Sequence, residues 1–294
     1  LQDIAKNTLE SLRQEEAHLT REISAAEAKS HFAKTRHVAV LRGYIPSKYQ
    51  DKLSRALDGL LGERYGIEFE KADHDAPVKL NHPGAVHDFM SLLKMYSLPK
   101  YKELDPTFLL FLIFPLFYGF VLGDAVYGLL SLALFTVIKW KMPQFRAFMT
   151  ILQVSSVSSI IWGIIYGEFI GYEFHGPLWG FIARSHEPQL LLIMAIGFGL
   201  LHINLGLLVG FLNHLHDLKH AIGHNLSWVV MEIGAALIGL GVYAGMMPAT
   251  IAGAIIGVIG LGLIYYGEGF IGLVELPSFF SNILSYARLM AVGL

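Results

Sequence analysis

Residues 107–138 read TFLLFLIFPLFYGFVLGDAVYGLLSLALFTVI, and the fold turns on whether this run crosses a bilayer once or twice. As a single element it would be one long tilted helix. As two, it breaks in the stretch from Gly119 to Gly123-Asp124, where glycines and a carboxylate interrupt the apolar residues. The flanking charges decide between these, because basic loops stay on the cytoplasmic side of a membrane. Lys94, Lys100 and Lys102 precede the run, and Lys139, Lys141 and Arg146 follow it. Both groups can be inside only if the chain goes out and returns. A hairpin also makes the later loops agree, with Arg184 alone outside and Lys219 inside. Each leg then holds ~16 residues, or ~24 Å of helix against a ~30 Å hydrocarbon core. Such legs are expected to be shielded by protein and to span imperfectly.

Working outward, further apolar runs fall at about 149–171, 189–212, 225–246, 249–267 and 278–294, near the ~20 residues a spanning helix needs. The fold class expected is therefore membrane α-helical: a polytopic bundle with seven spans, the last leaving toward the outside. Composition agrees. Of 294 residues, 54% are hydrophobic and 16% charged, against ~25% charged in a typical soluble domain. Mean hydropathy is +0.50. A net charge of −2 provides no basic field for nucleic acid. The absence of cysteine excludes disulfides, thiolate metal sites and thiol nucleophiles.

Charge is concentrated at one end. Residues 1–104 hold 31 of the 46 charged side chains and residues 105–294 the other 15, which places a boundary near Asp105 between an aqueous part and a bilayer part. Residues 2–30 have the pattern of a helix, with Ala5, Leu12, Leu19 and Ala26 recurring every seven, Leu9 and Ile23 between them, and one break at Glu16. Such a seam needs a partner helix, although a solvated connecting helix has the same pattern. Val38 and Val40, leading into Gly43-Tyr44-Ile45-Pro46, predict a short strand. Ser47 with Gln50 predicts a capping box on a helix carrying Leu53, Leu57, Leu60 and Leu61. Ile67 and Phe69 alternate like a second strand. The expected domains are a coiled-coil arm segment at 1–35, a small cytosolic α/β region at 36–104, and a transmembrane domain at 105–294. No phosphate-loop pattern is present, and no cofactor is expected. The chain opens at Leu1 without Met and stops within an apolar run, which reads as a fragment.

Ionisable groups in spanning segments are costly and so are functional candidates. Here they are Asp124, Glu168, His202, Glu232, Glu268, Glu275 and Arg288. Several have plain structural readings: Glu168 and Glu268 lie near helix ends, Asp124 can bond amides freed at the hairpin break, and His202 with Asn204 can bridge helices. Glu232 admits either role. Arg288 stands apart, about ten residues into the last run among Leu284, Ala287, Leu289 and Met290. Burial of Arg at a helix centre costs ~2.5–3.5 kcal/mol on insertion scales, and a guanidinium cannot deprotonate to avoid it. It needs a carboxylate or a water-filled cavity. Glu275 lies ~20 Å away along the helix, which leaves Glu232 as a partner within the chain or a carboxylate on another. Ser281, Asn282 and Ser285 add polarity to the same segment. His216, His220 and His224 follow at i, i+4 and i+8, with His214 and Asp217 beside them. That spacing can bind a divalent metal, but the cluster falls in an interfacial loop and no metal is expected.

Asp105-Pro106-Thr107, Phe114-Pro115 and GFVLGDAVYG over 119–128 resemble the first hairpin of the membrane subunit of rotary A/V-type ATPases, called subunit I in prokaryotes and subunit a in eukaryotes. SNILSYARLMAVGL over 281–294 resembles the segment carrying that family's essential arginine. Gly43-Tyr44-Ile45-Pro46, Pro77-Val78-Lys79-Leu80 and Gly167-Glu168-Phe169-Ile170-Gly171 match weaker family stretches. The similarity runs in order over nearly the whole chain, and SYARL leans toward an archaeal or bacterial source. The resemblance implies a non-catalytic stator subunit in a prokaryotic plasma membrane, beside a proteolipid ring. Its N-terminal region would be cytosolic, in contact with peripheral stalk subunits. Arg288 would face the ring's ion-carrying carboxylate. Glu275 and Asn282 would line the cytosolic half-channel, and with Ser285 they complete the implied ion-translocation set. Family members are considerably longer and carry an eighth spanning helix beyond this chain's last residue.

Elementary electrostatics supports that arrangement. A fixed cation in hydrocarbon stabilises an ionised carboxylate opposite it, whereas the same carboxylate must be neutral against lipid. The competing classes are an independent ion channel or secondary transporter, expected to show inverted repeats that are not evident here, and a purely structural anchor, which would not need Arg288.

Overall fold

The computed structural model describes residues 2–30, 33–73, 76–176 and 178–294. The chain divides into two compact units, Leu1–Pro77 and Val78–Leu294.

In the first unit, helix α1 (Gln2–Ser30) is built from Ala, Leu, Glu, Gln and Arg without an internal Gly or Pro, a composition of strong helix formers. Leu12, Leu19 and Ile23 of the heptad seam are all more than half exposed, while the side chains of Ala5 and Leu9 lie outside the described residues. Strands β1 (Ala33–Lys34) and β2 (Ala39–Val40) pair antiparallel, Ala33 opposite Val40. Two local expectations are corrected. The chain enters α2 (Gln50–Leu61) through a 3₁₀ turn at Ser47–Tyr49, so Ser47 sits inside the helical turn and no side chain caps α2. Leu53 and Leu57 are half-buried, whereas Leu60 is 82% exposed. Ile67 and Phe69 form no strand and are exposed; alternation without a neighbouring ladder leaves their backbone unpaired.

The second unit is an α-helical membrane bundle. It begins with α3 (Gly84–Tyr96), whose Phe89 is fully buried against Phe111 and Phe114. Asp105 starts α4 (Thr107–Leu122) by accepting from the Thr107 amide and hydroxyl, at 2.9 and 2.5 Å. Burial alone would raise this carboxyl, but the Thr107 bonds and the neighbouring His82 hold it below the usual carboxylate value. The helix ends at Gly123. Asp124 then caps α5 (Ala125–Lys141), accepting from the Val126 and Tyr127 amides at 2.8 Å each. The run at 107–138 is thus two helices broken at Gly123-Asp124. Both pack along α6 (Arg146–Tyr166). Phe120 meets Trp162 and Tyr166, while on the return leg Ser131 bonds Ser156 and Lys139 bonds Gln153. Ser155, Ser156 and Ser159 are buried on α6. Ser155 and Ser156 bond carbonyls four residues back, so small polar side chains admit close neighbours without stranding a hydroxyl.

A short hairpin, β3 (Glu168–Phe169) with β4 (Tyr172–Glu173), leads to α7 (Pro188–Asn213). Helix α8 (Leu218–His220) passes through a π-helical turn at Ala221–Leu226 into α9 (Ser227–Tyr243), followed by α10 (Met247–Glu268) and α11 (Phe270–Gly293). Phe120, Trp162, Tyr166, Leu191, Ala195 and Met290 form a buried cluster joining α4, α6, α7 and α11. Among the described residues, five helical stretches are long and apolar enough to cross a membrane: Pro143–Tyr166, Pro188–Asn213, Leu218–Tyr243, Met247–Glu268 and Phe270–Gly293. Legs α4 and α5 are shorter, at 16 and 17 residues.

Close backbone approach holds several of these helices together, as glycine permits in membranes. A Cβ on Gly163 would lie 2.0 Å from the Ala125 nitrogen, whereas one on Gly206 would face open space. A second close crossing joins two glycines, where a Cβ on Gly267 would meet the Gly223 Cα at 2.2 Å. Gly267→Ala is therefore expected to lower stability by about 1–3 kcal/mol through overpacking. Gly262→Ala on the same helix points into open space and should be near neutral. Thermal unfolding of the two variants side by side tests the difference.

Candidate functional site

Helix α11 presents two faces. Ile283 and Met290 are buried and Tyr286 is half-buried, a stripe at i, i+3 and i+7. Ser281, Leu284, Arg288 and Val292 are exposed, at i, i+3, i+7 and i+11. Arg288 follows Tyr286 by two residues, about 200° around the helix at ~100° per residue, and so projects away from the bundle. Among the described residues it makes no ion pair. Glu232, the partner available within the chain, instead accepts from Asn204 Nδ2 at 2.6 Å, and its second oxygen is buried without a hydrogen bond.

An open cavity of about 410 Å³ lies between α7, the π-helical turn, α9 and the first half of α11. It is lined by Glu275, Ser278 and Asn282 of α11 together with Leu207, His224, Asn225, Trp228 and Phe279. Glu275 and Asn282 are seven residues apart and share a face, as two helical turns require. Trp228 stacks on Phe279 at 4.4 Å and forms an apolar wall. Asn225 is buried, with its Nδ2 lacking a partner. Ser285 does not line the cavity and bonds the Ser281 carbonyl at 2.8 Å. Nor does Arg288, which is ~9 Å beyond Asn282 along the axis. The cavity lies at the end of the bundle where Leu104 N donates to Asn213 Oδ1 and His224 pairs with Glu268.

The opposite end carries a second polar cluster. Arg184 is buried; it donates to Glu168 at 3.0 Å, to the Val121 carbonyl at 2.6 Å and to the Gly293 carbonyl, and its guanidinium lies 5.6 Å from the Tyr166 ring centroid. Asp124 accepts from the Gly171 amide at 2.8 Å with the oxygen its helix cap leaves free. Burial pushes the Glu168 carboxyl above its ordinary value, and Arg184 offsets only part of this. Sequence reasoning placed Arg184 in a loop without giving it a role, since nothing local to residue 184 indicates that four elements converge on it. Between the two ends, His202 Nδ1 meets the Tyr286 hydroxyl at 2.7 Å. The histidine cluster is engaged locally: the His214 ring lies near those of His220 and His224, His220 pairs with Asp217 at 3.1 Å and His224 with Glu268. No group of three metal-ligating side chains converges among the described residues.

Five long apolar helices, the last of which carries an outward arginine and lines a polar cavity, are those of an integral membrane protein. The chain is homologous to subunit I of the A/V-type ATP synthases. It is 29% identical over 283 residues to the A-type ATP synthase subunit I of Methanothermobacter thermautotrophicus, covering 91% of this chain and 42% of the relative. With the same-named protein of Methanocaldococcus jannaschii the identity is 30% over 326 residues, covering 94% and 47%. With the V-type ATP synthase subunit I of Borreliella burgdorferi it is 23%, covering 86% and 47%. The chain thus spans about half the length of the curated relatives it matches. No family model matches it.

The Arg184 cluster generates a stability test. Arg184→Gln removes the buried guanidinium with its bonds to Glu168 and to two backbone carbonyls and should cost about 3–5 kcal/mol, the usual result of removing one member of a buried pair. Glu168→Gln should cost less, because the amide oxygen still accepts from the guanidinium. The raised Glu168 value also sets a pH dependence. The folded state keeps that proton where the unfolded chain has lost it, so the contribution is complete below the ordinary carboxylate range and fades as pH rises through the raised value. Unfolding across pH should show this slope in the native chain, steeper in Arg184→Gln and absent in Glu168→Gln.

Proposed function

We propose that this chain is the membrane-embedded stator subunit of a rotary A/V-type ATP synthase, and that α11 faces a ring of proteolipids carrying ionisable carboxylates. The observation that carries the reading is Arg288, exposed among apolar residues of a membrane helix and without an ion pair among the described residues. A guanidinium so placed is stabilised if a carboxylate on another subunit comes to meet it. A ring carboxylate opposite Arg288 ionises and releases its proton or sodium ion; away from it, that carboxylate must be neutralised before it meets lipid. Arg288 also blocks ions from passing directly between the two sides.

The cavity lined by Glu275 and Asn282 is the cytosolic half-channel in this reading, with His224 and Asn225 as further lining. Asp124, Glu168, His202, Glu232 and Glu268 are structural polar groups or contributors to the ion path. The α4–α5 pair crosses as a hairpin, so that the spans number seven, Lys139, Lys141 and Arg146 are cytoplasmic, and Arg184 is outside. Residues 1–35 form an arm segment and residues 36–104 a cytosolic α/β region, both contacting peripheral stalk subunits. Residues 105–294 form the transmembrane domain, in a prokaryotic plasma membrane. The chain carries no catalytic step of its own; its part is to couple ion flow to ATP synthesis or hydrolysis elsewhere in the complex.

Two variants in the assembled complex test this. Arg288→Ala should abolish ATP-driven ion uptake into vesicles while the proteolipid still co-purifies, since a contact met transiently contributes little to standing stability. Arg288→Lys should fail as well, because a desolvated ammonium can lose its proton and lacks the planar fork. An Ala variant that assembles normally and still pumps would falsify the assignment. Glu275→Gln should slow coupled uptake without uncoupling it, because Arg288 still separates the two sides. Native rates in that variant across a range of pH would remove Glu275 from the ion path.

A further inference from the structure

A membrane helix that carries one outward-facing charge must be set about its own axis. Turning α11 by a quarter turn would take Arg288 off the exposed stripe of Ser281, Leu284 and Val292 and toward the neighbouring helices. Met290 is unbranched and adapts to small rotations by changing rotamer, and Ile283 makes only non-directional apolar contact. Tyr286 is different, because three residues on two helices, α7 and α4, hold its ring. A Cβ on Gly199 of α7 would lie 2.5 Å from Tyr286 Cδ2 and 2.6 Å from its Cγ, so the ring occupies the space that only a glycine leaves. One turn further along α7, His202 Nδ1 lies 2.7 Å from the Tyr286 hydroxyl and fixes the far end of the side chain. Phe117 of α4 closes the side, with ring centroids 5.1 Å from Tyr286 and 5.8 Å from His202.

We propose that Tyr286, seated on Gly199 and tethered to His202, is the positioning residue that fixes the rotation of α11 and thereby the direction in which Arg288 points. The inference rests on the reading of Arg288 as the ring-facing charge. The geometry makes Tyr286 suited to this. It is two residues from Arg288 and about 200° around the helix, so a seat gripping one side of α11 sets the opposite side directly. The notch fixes the approach of α11 to α7, and the hydroxyl tether fixes the angle of the ring within it. Neither contact touches the arginine, so the seat acts on ion transfer only through orientation. Displacing a reacting group by ~1 Å commonly costs one to two orders of magnitude in rate.

The test uses the assembled ATP synthase complex in sealed vesicles, reading ATP-driven ion uptake per ATP hydrolysed. Gly199→Ala drives a methyl into the Tyr286 ring and should lower that ratio by about tenfold, with the proteolipid still co-purifying. Gly197→Ala, two residues away on α7 and facing open space, should leave it unchanged. Tyr286→Phe keeps the ring in its notch and loses only the tether, so its loss should be smaller than that of Gly199→Ala. A mere packing contact predicts another pattern, in which uptake and hydrolysis fall together with the amount of complex. That pattern, or an unchanged ratio in assembled Gly199→Ala complexes, overturns the proposal. Failure of both Gly199→Ala and Tyr286→Phe to assemble also overturns it, since the seat would then serve folding alone. Arg288→Ala measured alongside separates the two levels. If it abolishes uptake while Gly199→Ala does not, only the seat is wrong; if it pumps normally, the reading of Arg288 fails first.

Discussion

A guanidinium taken out of water cannot shed its charge, and the transmembrane unit is organised by how its buried and exposed guanidinium groups meet that constraint. Arg184 meets it within the chain. It is buried, paired with Glu168, bonded to the carbonyl that ends α4, and laid against Tyr166. These contacts draw the α4–α5 break, the end of α6 and the following hairpin together at one end of the bundle. Arg288 has no such ion pair among the described residues and stands on the exposed stripe of α11. The contrast separates a charge compensated by the fold from one left for something outside it.

The rest of the bundle is consistent with spending few polar groups on stability. Helices meet through glycine, as at Gly163 and at the Gly223–Gly267 crossing, where the backbones come close enough for dispersion contacts that lipid cannot match. Buried Ser155 and Ser156 of α6 return their hydroxyls to their own helix, and Ser159 bonds the Asp124 carbonyl. Against this background the incompletely satisfied groups are informative. Glu232 keeps one oxygen without a partner, and Asn225 an amide nitrogen. The latter lies beside the cavity that Glu275 and Asn282 line. A buried polar atom without a partner is costly to keep, and its position at a water-sized opening is the natural place to tolerate it.

Much of this was legible from residue order. The break at Gly123-Asp124 follows from glycines flanking a carboxylate in an otherwise apolar run, because an Asp at a helix start satisfies amides that no carbonyl reaches. The singular character of Arg288 follows from its neighbours alone. Local rules failed where a partner had to be supplied from elsewhere. Ser47 and Gln50 match a capping box, yet a 3₁₀ turn absorbs them. Ile67 and Phe69 alternate, yet no ladder forms beside them. Ser285 shares a segment with Asn282 but not its cavity, since it lies ~4.5 Å further along α11 and its hydroxyl turns back to the Ser281 carbonyl.

What the sequence by itself determined is therefore the set of elements and their chemistry: apolar helices, a polar first hundred residues, one hairpin break, and a permanent cation on the last helix. Hydrophobicity, charge and helix-breaking residues act over a few neighbours, so they can be read in one dimension. Only the tertiary structure decided which side of α11 Arg288 occupies, that Glu232 turns to Asn204 rather than to it, that His224 and Asn225 join Glu275 at one cavity, and that Gly199 receives Tyr286. These depend on the rotation and contact distance of helices far apart along the chain, 28 residues for Asn204 and Glu232 and 84 for His202 and Tyr286. Rotation is set by the sum of many packing contacts, and no local stretch of sequence contains that sum.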